Sequence, residues 1–169
     1  MVIANIPTTG IYGDDIATPI NSNFTELAEK NGVFAYLASP TATTVTTGGT
    51  YYTIAGTFTN APMENFSLGT GIDYDGLTTK YFEVDWHATV SGDSNSITCS
   101  VGIKKNTSVV TSSIMGTLLK TSGESYVLSG TTVVELATND AILLVLTADG
   151  DGDVITVEHF TTTIRPFFY

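Results

Sequence analysis

The fold is decided by the stretch KYFEVDWHATV, which occupies residues 80–90. Apolar side chains recur at every second position from Phe82 to Val90, with Trp86 at the centre of the pattern. Because successive side chains of a β-strand point to opposite faces of its sheet, this alternation predicts a strand with one buried and one outward side. We expect Trp86 and its alternating neighbours to build a hydrophobic core. The side chains expected on the opposite side include Tyr81, Glu83 and His87.

Similar strand patterns follow along the rest of the chain. After a turn at residues 91–95, apolar alternation resumes at Ile97 and continues to Ile103. About eight strands separated by short turns, with no helix between them, are typical of an antiparallel sandwich or jelly roll. The sequence therefore predicts a mostly β protein with jelly-roll architecture. The other predicted strands are Tyr51–Ile54, Val109–Met115, Tyr126–Leu136, Ala141–Leu146 and Val154–Ile164.

A different kind of segment precedes the strands. Residues 1–14 lack helical or strand periodicity, which predicts an extended arm that becomes ordered on a partner. One short α-helix is predicted after the arm, because Thr18 can cap it with Pro19 at its first position. The pair Asn31 and Gly32 ends this helix, since Gly is favoured just past a helix end.

This N-terminal segment carries apolar side chains but no core of its own. Spacings of four, four and three along the helix place its apolar residues in one stripe. A helix of about three turns is marginal alone, so the stripe needs either the β-domain or copies of itself. We assign residues 1–39 to an arm and helix for attachment and residues 40–169 to a jelly-roll head domain. The residues expected to be buried on a partner are Ile3, Ile11, Ile16, Ile20, Phe24 and Leu27.

The charge and hydropathy of the chain limit its partners. It has 17 acidic and 6 basic residues, a formal net charge of −11 and an isoelectric point near 4.2. Nucleic acid and anionic lipid both attract basic surfaces, so neither is an expected partner. No apolar run approaches the length of a membrane span, and the N-terminus lacks the basic start and apolar run of a secretory signal. We expect synthesis in a cytoplasm and no membrane insertion.

One aspartate cluster invites a metal interpretation. Asp149, Asp151 and Asp153 resemble the opening of a calcium loop, but an EF-hand needs Gly at the sixth position and Glu at the twelfth. This chain has Val154 and Phe160 at those positions. Because Asp-Gly is a leading turn dipeptide, we interpret the cluster as a hairpin turn, with a cation between subunits left open. No cofactor is expected.

Catalytic arrangements are weakly represented. No G-x-S-x-G nucleophile elbow is present, and Cys99 shares its strand face with apolar residues, which favours a buried, inert thiol. His87 and His159 lie outside any zinc-binding spacing. Glu83 and Asp85 share a strand face roughly 7 Å apart, which overlaps the carboxylate separation of inverting glycosidases. Any alternating strand with two acids would give the same spacing, so we expect no enzymatic activity.

Two runs resemble a known superfamily. The run KYFEVDWHATVSGDSNSITCSVGIKKNTSVV, residues 80–110, is similar to the tumour-necrosis-factor-like and complement-globular-head domains in its long aromatic strand and Lys-Asn ending. The run VVELATNDAILLVLTADGDGDVITVEHFTTTIRPFF, residues 133–168, is similar to their closing strands.

Those domains assemble as tight trimers around a threefold axis, so the resemblance implies a homotrimer. The residues predicted at its interface are Tyr81, Glu83, His87, Phe167, Phe168 and Tyr169. The C-terminal aromatic residues among them could instead close the bottom of a monomeric sandwich.

The N-terminal segment resembles a different group of proteins. GDDIATPINSNFTELAEK, residues 13–30, looks like the N-terminal segment of many tailed-phage fibre and structural proteins. This resemblance implies a structural protein on a phage virion, made in the bacterial cytoplasm and attached to a capsid or tail protein by its N-terminus. A trimeric head fibre or capsid decoration protein is the first expectation, because a long tail fibre normally needs a longer chain. A tail-fibre, adaptor or receptor-binding module, and a carbohydrate-binding or carbohydrate-cleaving head for a host glycan, are the alternatives.

Overall fold

The computed structural model describes residues 32–60, 64–69 and 71–167. Within these ranges the chain forms strands joined by turns, with a 3-10 turn at Thr111–Ser113. The strands are β1 Val33–Pro40, β2 Ala42–Thr44, β3 Tyr52–Thr53, β4 Gly56–Asn60, β5 Phe66–Leu68, β6 Ile72–Tyr74, β7 Lys80–Gly92, β8 Ile97–Lys105, β9 Ser108–Val109, β10 Met115–Leu119, β11 Tyr126–Leu136, β12 Ala141–Ala148 and β13 Val154–Pro166. The predicted arm and helix, with their six apolar attachment residues, lie outside the described residues.

The described strands form two antiparallel sheets. The first sheet has the order β11-β7-β13-β1-β4, with β2 also paired to β13. The second has the order β10-β8-β12-β6-β5, with β3 paired to β12 and β9 to β8. From β6 to β8 and again from β11 to β13, each strand lies in the other sheet from the one before it, which is the connectivity of a jelly roll. The predicted fold class, an antiparallel jelly-roll sandwich, is confirmed.

The core lies between the two sheets and is centred on β7. Phe82 and Trp86 are fully buried, as the alternation of residues 80–90 predicts. Trp86 stacks on Phe160 of the neighbouring strand β13, with ring centroids 6.3 Å apart. On the second sheet, Cys99 and its alternating neighbours in β8 face the same core. Burial of these large side chains is the main favourable term in folding a sandwich of this size.

The first strand begins earlier than the predicted head domain. Residues 33–39 are predicted as part of the N-terminal segment, whereas they form most of β1, and Val33 pairs with Ile164 of β13. The stretch VFAYLASP carries the same alternation as β7, with Val33, Ala35 and Leu37 buried. The described head domain therefore includes β1.

The predicted strand Val109–Met115 is wrong in its centre. The chain forms a 3-10 turn at Thr111–Ser113 instead of continuing the strand. The hydroxyl of Ser113 forms hydrogen bonds with the backbone of β8 and with the backbone of the residue before this turn. The backbone N–H of Ile103 donates to Ser113 Oγ at 2.9 Å, and Ser113 Oγ donates to the carbonyl oxygen of Val110 at 2.6 Å. Serine hydroxyls compete with strand ladders in this way. The predicted strand Tyr51–Ile54 is shorter in the structure, since only the two residues of β3 pair.

In the part of the chain that the structure describes, no helix has the length and apolar character needed to cross a membrane.

Candidate functional site

The outward side of the first sheet carries more than half of the large hydrophobic side chains that are exposed among the described residues. We call it the outer face; it carries the side chains of β1, β7, β11 and β13 that point away from the core. Ten large hydrophobic side chains are exposed in the described ranges, and six of them belong to this face. Their exposed fractions run from 39% to 75%. They are Phe34, Tyr36, Tyr81, Val127, Val133 and Phe167.

The ladder registers place these residues in rows across the sheet. Tyr36 of β1 lies beside Thr161 of β13, and Thr161 lies beside His87 of β7. Phe34 occupies the adjacent row, and its ring centroid is 6.2 Å from that of Tyr36. The outer face therefore combines a pair of neighbouring aromatic rings with a background of threonine hydroxyls. Aromatic residues in such a setting are typical of protein interfaces, because they bring a large contact area with little loss of side-chain entropy.

A group of charges interrupts the apolar character of this face. Arg165 Nη2 lies 2.9 Å from Glu83 Oε1 and 3.1 Å from Asp85 Oδ2. Arg165 Nε also donates to Glu83 Oε2 at 3.2 Å. The hydrogen bond that Arg165 donates to Glu83, followed by the charges of Glu83 and Asp85, raises the pKa of Arg165. The two acids thus share one guanidinium on a sheet surface, an arrangement that gives no support to glycoside cleavage, which needs carboxylates on opposite sides of a bound sugar.

The residues predicted for the trimer interface lie on one face of the first sheet where the structure describes them. Tyr81, Glu83 and His87 lie on the outer face of β7, with Tyr81 and His87 exposed. Phe167 follows β13, and its backbone N–H donates to the carbonyl oxygen of Tyr81 at 2.8 Å. Its side chain is exposed. Phe168 and Tyr169 lie outside the described residues.

Sequence reasoning missed four of the six exposed hydrophobic residues of the outer face: Val127 and Val133 of β11, and Phe34 and Tyr36 of β1. Phe34 and Tyr36 are predicted in the N-terminal segment, but β1 places them on this face opposite the buried Val33 and Ala35. The alternation of residues 33–37 is the signal that finds them, because it separates inward from outward side chains. Local pattern alone does not show that β1 pairs with β13, which is what brings the two rings onto the same face.

The aspartate cluster forms the loop between β12 and β13. These two strands lie in different sheets, so the loop crosses from one sheet to the other and the predicted hairpin turn is wrong. Asp149 Oδ1 accepts a hydrogen bond from the backbone N–H of Thr98 at 2.8 Å, and this bond lowers the pKa of Asp149. Asp151 Oδ1 accepts from the N–H of Gly48 at 2.7 Å. Asp153 Oδ2 accepts from the N–H of Gly150 within the loop at 2.9 Å. The three carboxylates therefore hold the backbone of this loop and of its neighbours in place through hydrogen bonds. Over residues 32–60, 64–69 and 71–167, no group of three or more His, Cys, Asp or Glu residues is placed to hold a metal.

The cysteine and the histidines fall where the sequence predicts. Cys99 is fully buried, and burial, aided by the charges of Asp149 and Asp153, raises the pKa of its thiol to about 12. A thiol with such a pKa carries almost no thiolate near neutral pH, so it is chemically inert. His87 and His159 are exposed on the first sheet.

Comparison with known proteins gives a fold likeness and no family. No protein-family model matches the chain, and no curated protein matches it. The Eiger TNF structure from S. frugiperda is similar over 81% of this chain and 92% of its own, with a TM-score of 0.52 and 8% identity. This likeness shows a TNF-like jelly-roll fold. Murine APRIL covers 80% of this chain and 99% of its own at 7% identity and a TM-score of 0.47. PRD1 vertex protein P5 covers 82% and 98% at 11% identity and a TM-score of 0.46.

Proposed function

We propose that this chain is a homotrimeric structural protein on the surface of a tailed-phage virion, either a head fibre or a capsid decoration protein. The outer face of the first sheet is the observation that carries the proposal. The role of the protein is to attach to the virion, and it catalyses no reaction. The head domain associates with two further copies through the outer face, and the segment that precedes β1 provides the link to a capsid or tail protein.

Self-association is supported by the composition of the outer face. Exposed aromatic and aliphatic side chains gather on it, although the chain as a whole is strongly acidic. Six large apolar side chains on one face form a patch of the kind that marks an interaction surface. Threonines lie among them, and the acids Glu83 and Asp85 are neutralised in part by Arg165, which lowers the cost of covering that part of the face with a second copy.

The virion assignment is supported by the resemblance of residues 13–30 to phage fibre leaders. Trimerisation also suits attachment, because three linked N-terminal segments bind a multivalent particle far more tightly than one segment does. A tail-fibre or adaptor position has the same requirements. The two locations differ only in which virion protein the N-terminal segment contacts.

Virion incorporation tests the attachment role. The double substitution F24D/L27D places two charges on the predicted helix stripe, and we expect the variant to form a folded trimer that is absent from purified particles. Leu77→Asp is the matched control, since Leu77 is highly exposed and lies in the loop between β6 and β7. This control should be incorporated normally. Normal incorporation of the double variant would overturn the attachment role.

Particle imaging then separates head from tail. Antibody against the head domain, seen by electron microscopy on purified virions, should label the capsid for a head fibre or decoration protein. Label confined to the tail would replace that location with the tail-fibre or adaptor alternative. Absence of the protein from purified virions would overturn the virion assignment itself.

A further inference from the structure

The two histidines of the chain lie next to each other on the outer face. His87 belongs to β7 and His159 to β13, and these strands pair side by side in the first sheet. The ladder sets His87 opposite Thr161 and His159 opposite Thr89, so the two histidines are diagonal neighbours on adjacent strands. Both side chains are exposed. The two imidazoles therefore project from the same side of the sheet.

A β-bulge in β13 brings His159 to this side. Val157 pairs with Val90 and His159 with Thr89, so Glu158 is an extra residue without a place of its own in the ladder. Val157 is buried in the core, and strict alternation would direct the side chain two positions later into the core as well. The bulge shifts the alternation by one residue, and His159 is exposed instead. Bulges re-aim side chains in this way beside functional sites.

The pair has the spacing of a two-imidazole metal site. Diagonal neighbours on antiparallel strands stand about 7 Å apart, which is within reach of aromatic side chains. An imidazole nitrogen binds zinc at about 2.0–2.1 Å, so two rings can hold one ion between them. Zinc has no geometric preference of its own and accepts water where the protein supplies no ligand.

These two rings are the whole supply of imidazole, because the chain contains two histidines and one cysteine. Cys99 is buried and the pKa of its thiol is raised to about 12, so it does not compete for the metal. In residues 32–60, 64–69 and 71–167, no third His, Cys, Asp or Glu completes a metal-binding group. Water therefore fills the remaining coordination positions.

The charge beside the pair favours a cation. The hydroxyl of Ser125 donates to Glu158 Oε2 at 2.7 Å. Hydrogen bonds from Ser125 and Ser91, with a further contribution from the charge of His159, lower the pKa of Glu158. The carboxylate next to His159 is therefore ionised at neutral pH. The net charge of −11 adds a general attraction for cations.

We propose that His87 and His159 together bind one zinc ion per chain through their imidazole nitrogens. Imidazole nitrogen suits zinc and other late transition metals, whereas calcium and magnesium require oxygen ligands. The site is distinct from the aspartate loop between β12 and β13, whose carboxylates accept hydrogen bonds from backbone N–H groups. Both ligands come from one chain, so the site does not rest on the proposed homotrimer.

Calorimetric titration of the full chain with zinc chloride tests the proposal. We expect saturable binding of one zinc ion per chain, which a large excess of calcium does not reduce. His87→Ala and His159→Ala should each weaken zinc binding by more than about tenfold, since loss of a residue that merely supports a metal ligand already costs about that much. Both side chains are exposed, so the β-sheet circular dichroism spectrum of each variant should be unchanged.

Thr89→Ala and Thr161→Ala are the matched controls, because each removes the polar side chain opposite one histidine and leaves both imidazoles in place. They should bind zinc as the unmodified chain does. The proposal is overturned if zinc does not bind, if calcium displaces it, or if either histidine variant binds zinc as tightly as the unmodified chain. The mass in solution reports separately on assembly: a monomer that binds zinc contradicts the homotrimer alone, and a trimer that binds no zinc contradicts the site alone.

Discussion

Gly130 of β11 lies directly opposite Trp86 of β7, and the indole ring covers the space where a side chain at residue 130 would stand. A Cβ atom built at Gly130 would come within 2.8 Å of three indole atoms. Trp86 is fully buried and stacked on Phe160, so the ring has little room to move aside. The largest core side chain and a glycine on the neighbouring strand are therefore matched in shape.

Replacement of this glycine should destabilise the fold. We expect Gly130→Ala to lower the free energy of unfolding by about 1–3 kcal/mol, the usual cost of an overpacked core. Urea unfolding followed by tryptophan fluorescence measures it. Ser129→Ala, at the exposed neighbouring position, should change stability by less than about 0.5 kcal/mol. Equal stability of Gly130→Ala and the unmodified protein would contradict the packing described for Trp86.

The buried thiol should be protected from alkylation. Because burial raises the pKa of Cys99 to about 12, little thiolate forms near neutral pH, and the reagent has no access to the sulfur. We expect iodoacetamide at pH 8 to modify Cys99 only after unfolding in denaturant, as measured by intact-protein mass. Rapid modification of the folded protein would show that β8 opens readily.

Acid should weaken the loop between β12 and β13 that Asp149 stabilises. The hydrogen bond from the backbone N–H of Thr98 lowers the pKa of Asp149 in the folded state below the usual value of an aspartate. A carboxyl with a lowered folded pKa contributes stability above its unfolded pKa and loses that contribution as the pH falls through the folded pKa. The stability difference between the unmodified protein and Asp149→Asn should therefore shrink as the pH drops below about 4.

Unfolding curves measured across this pH range check that prediction. Asp75→Asn, at another exposed position between strands, is the control for general loss of negative charge. A constant difference between Asp149→Asn and the unmodified protein at all pH values would show that the Asp149 charge contributes nothing to the loop.

The local pattern of the sequence predicts the sandwich well and the exposed site only in part. Alternation at residues 80–90 places Trp86 in the core because burial on one face of a strand has a period of two residues. Arg165 pairs with Glu83, a residue far away in the chain. Rules based on the local spacing of residues cannot predict such a pair. The turn at Ser113 is not predicted for another reason. Its apolar neighbours Val110 and Ile114 are as compatible with a strand as they are with the turn.

Charge introduced on the outer face should disrupt self-association while leaving the fold intact. Tyr36 points away from the core, so Tyr36→Asp costs little in the monomer but places a carboxylate in the proposed interface. We expect this variant to sediment as a monomer with an unchanged β-sheet circular dichroism spectrum. Leu77→Asp, an equal change away from the outer face, should leave the assembly intact. A Tyr36→Asp protein that keeps its assembly would exclude β1 from the interface.

The molar mass of the unmodified protein in solution tests the central claim most directly. Light scattering on the eluting peak of a size-exclusion column gives this mass without a shape assumption. The proposed homotrimer predicts a mass near three times the 17.9 kDa of one chain. A stable species of 17.9 kDa across the accessible concentration range would contradict it and leave the aromatic outer face without the proposed role.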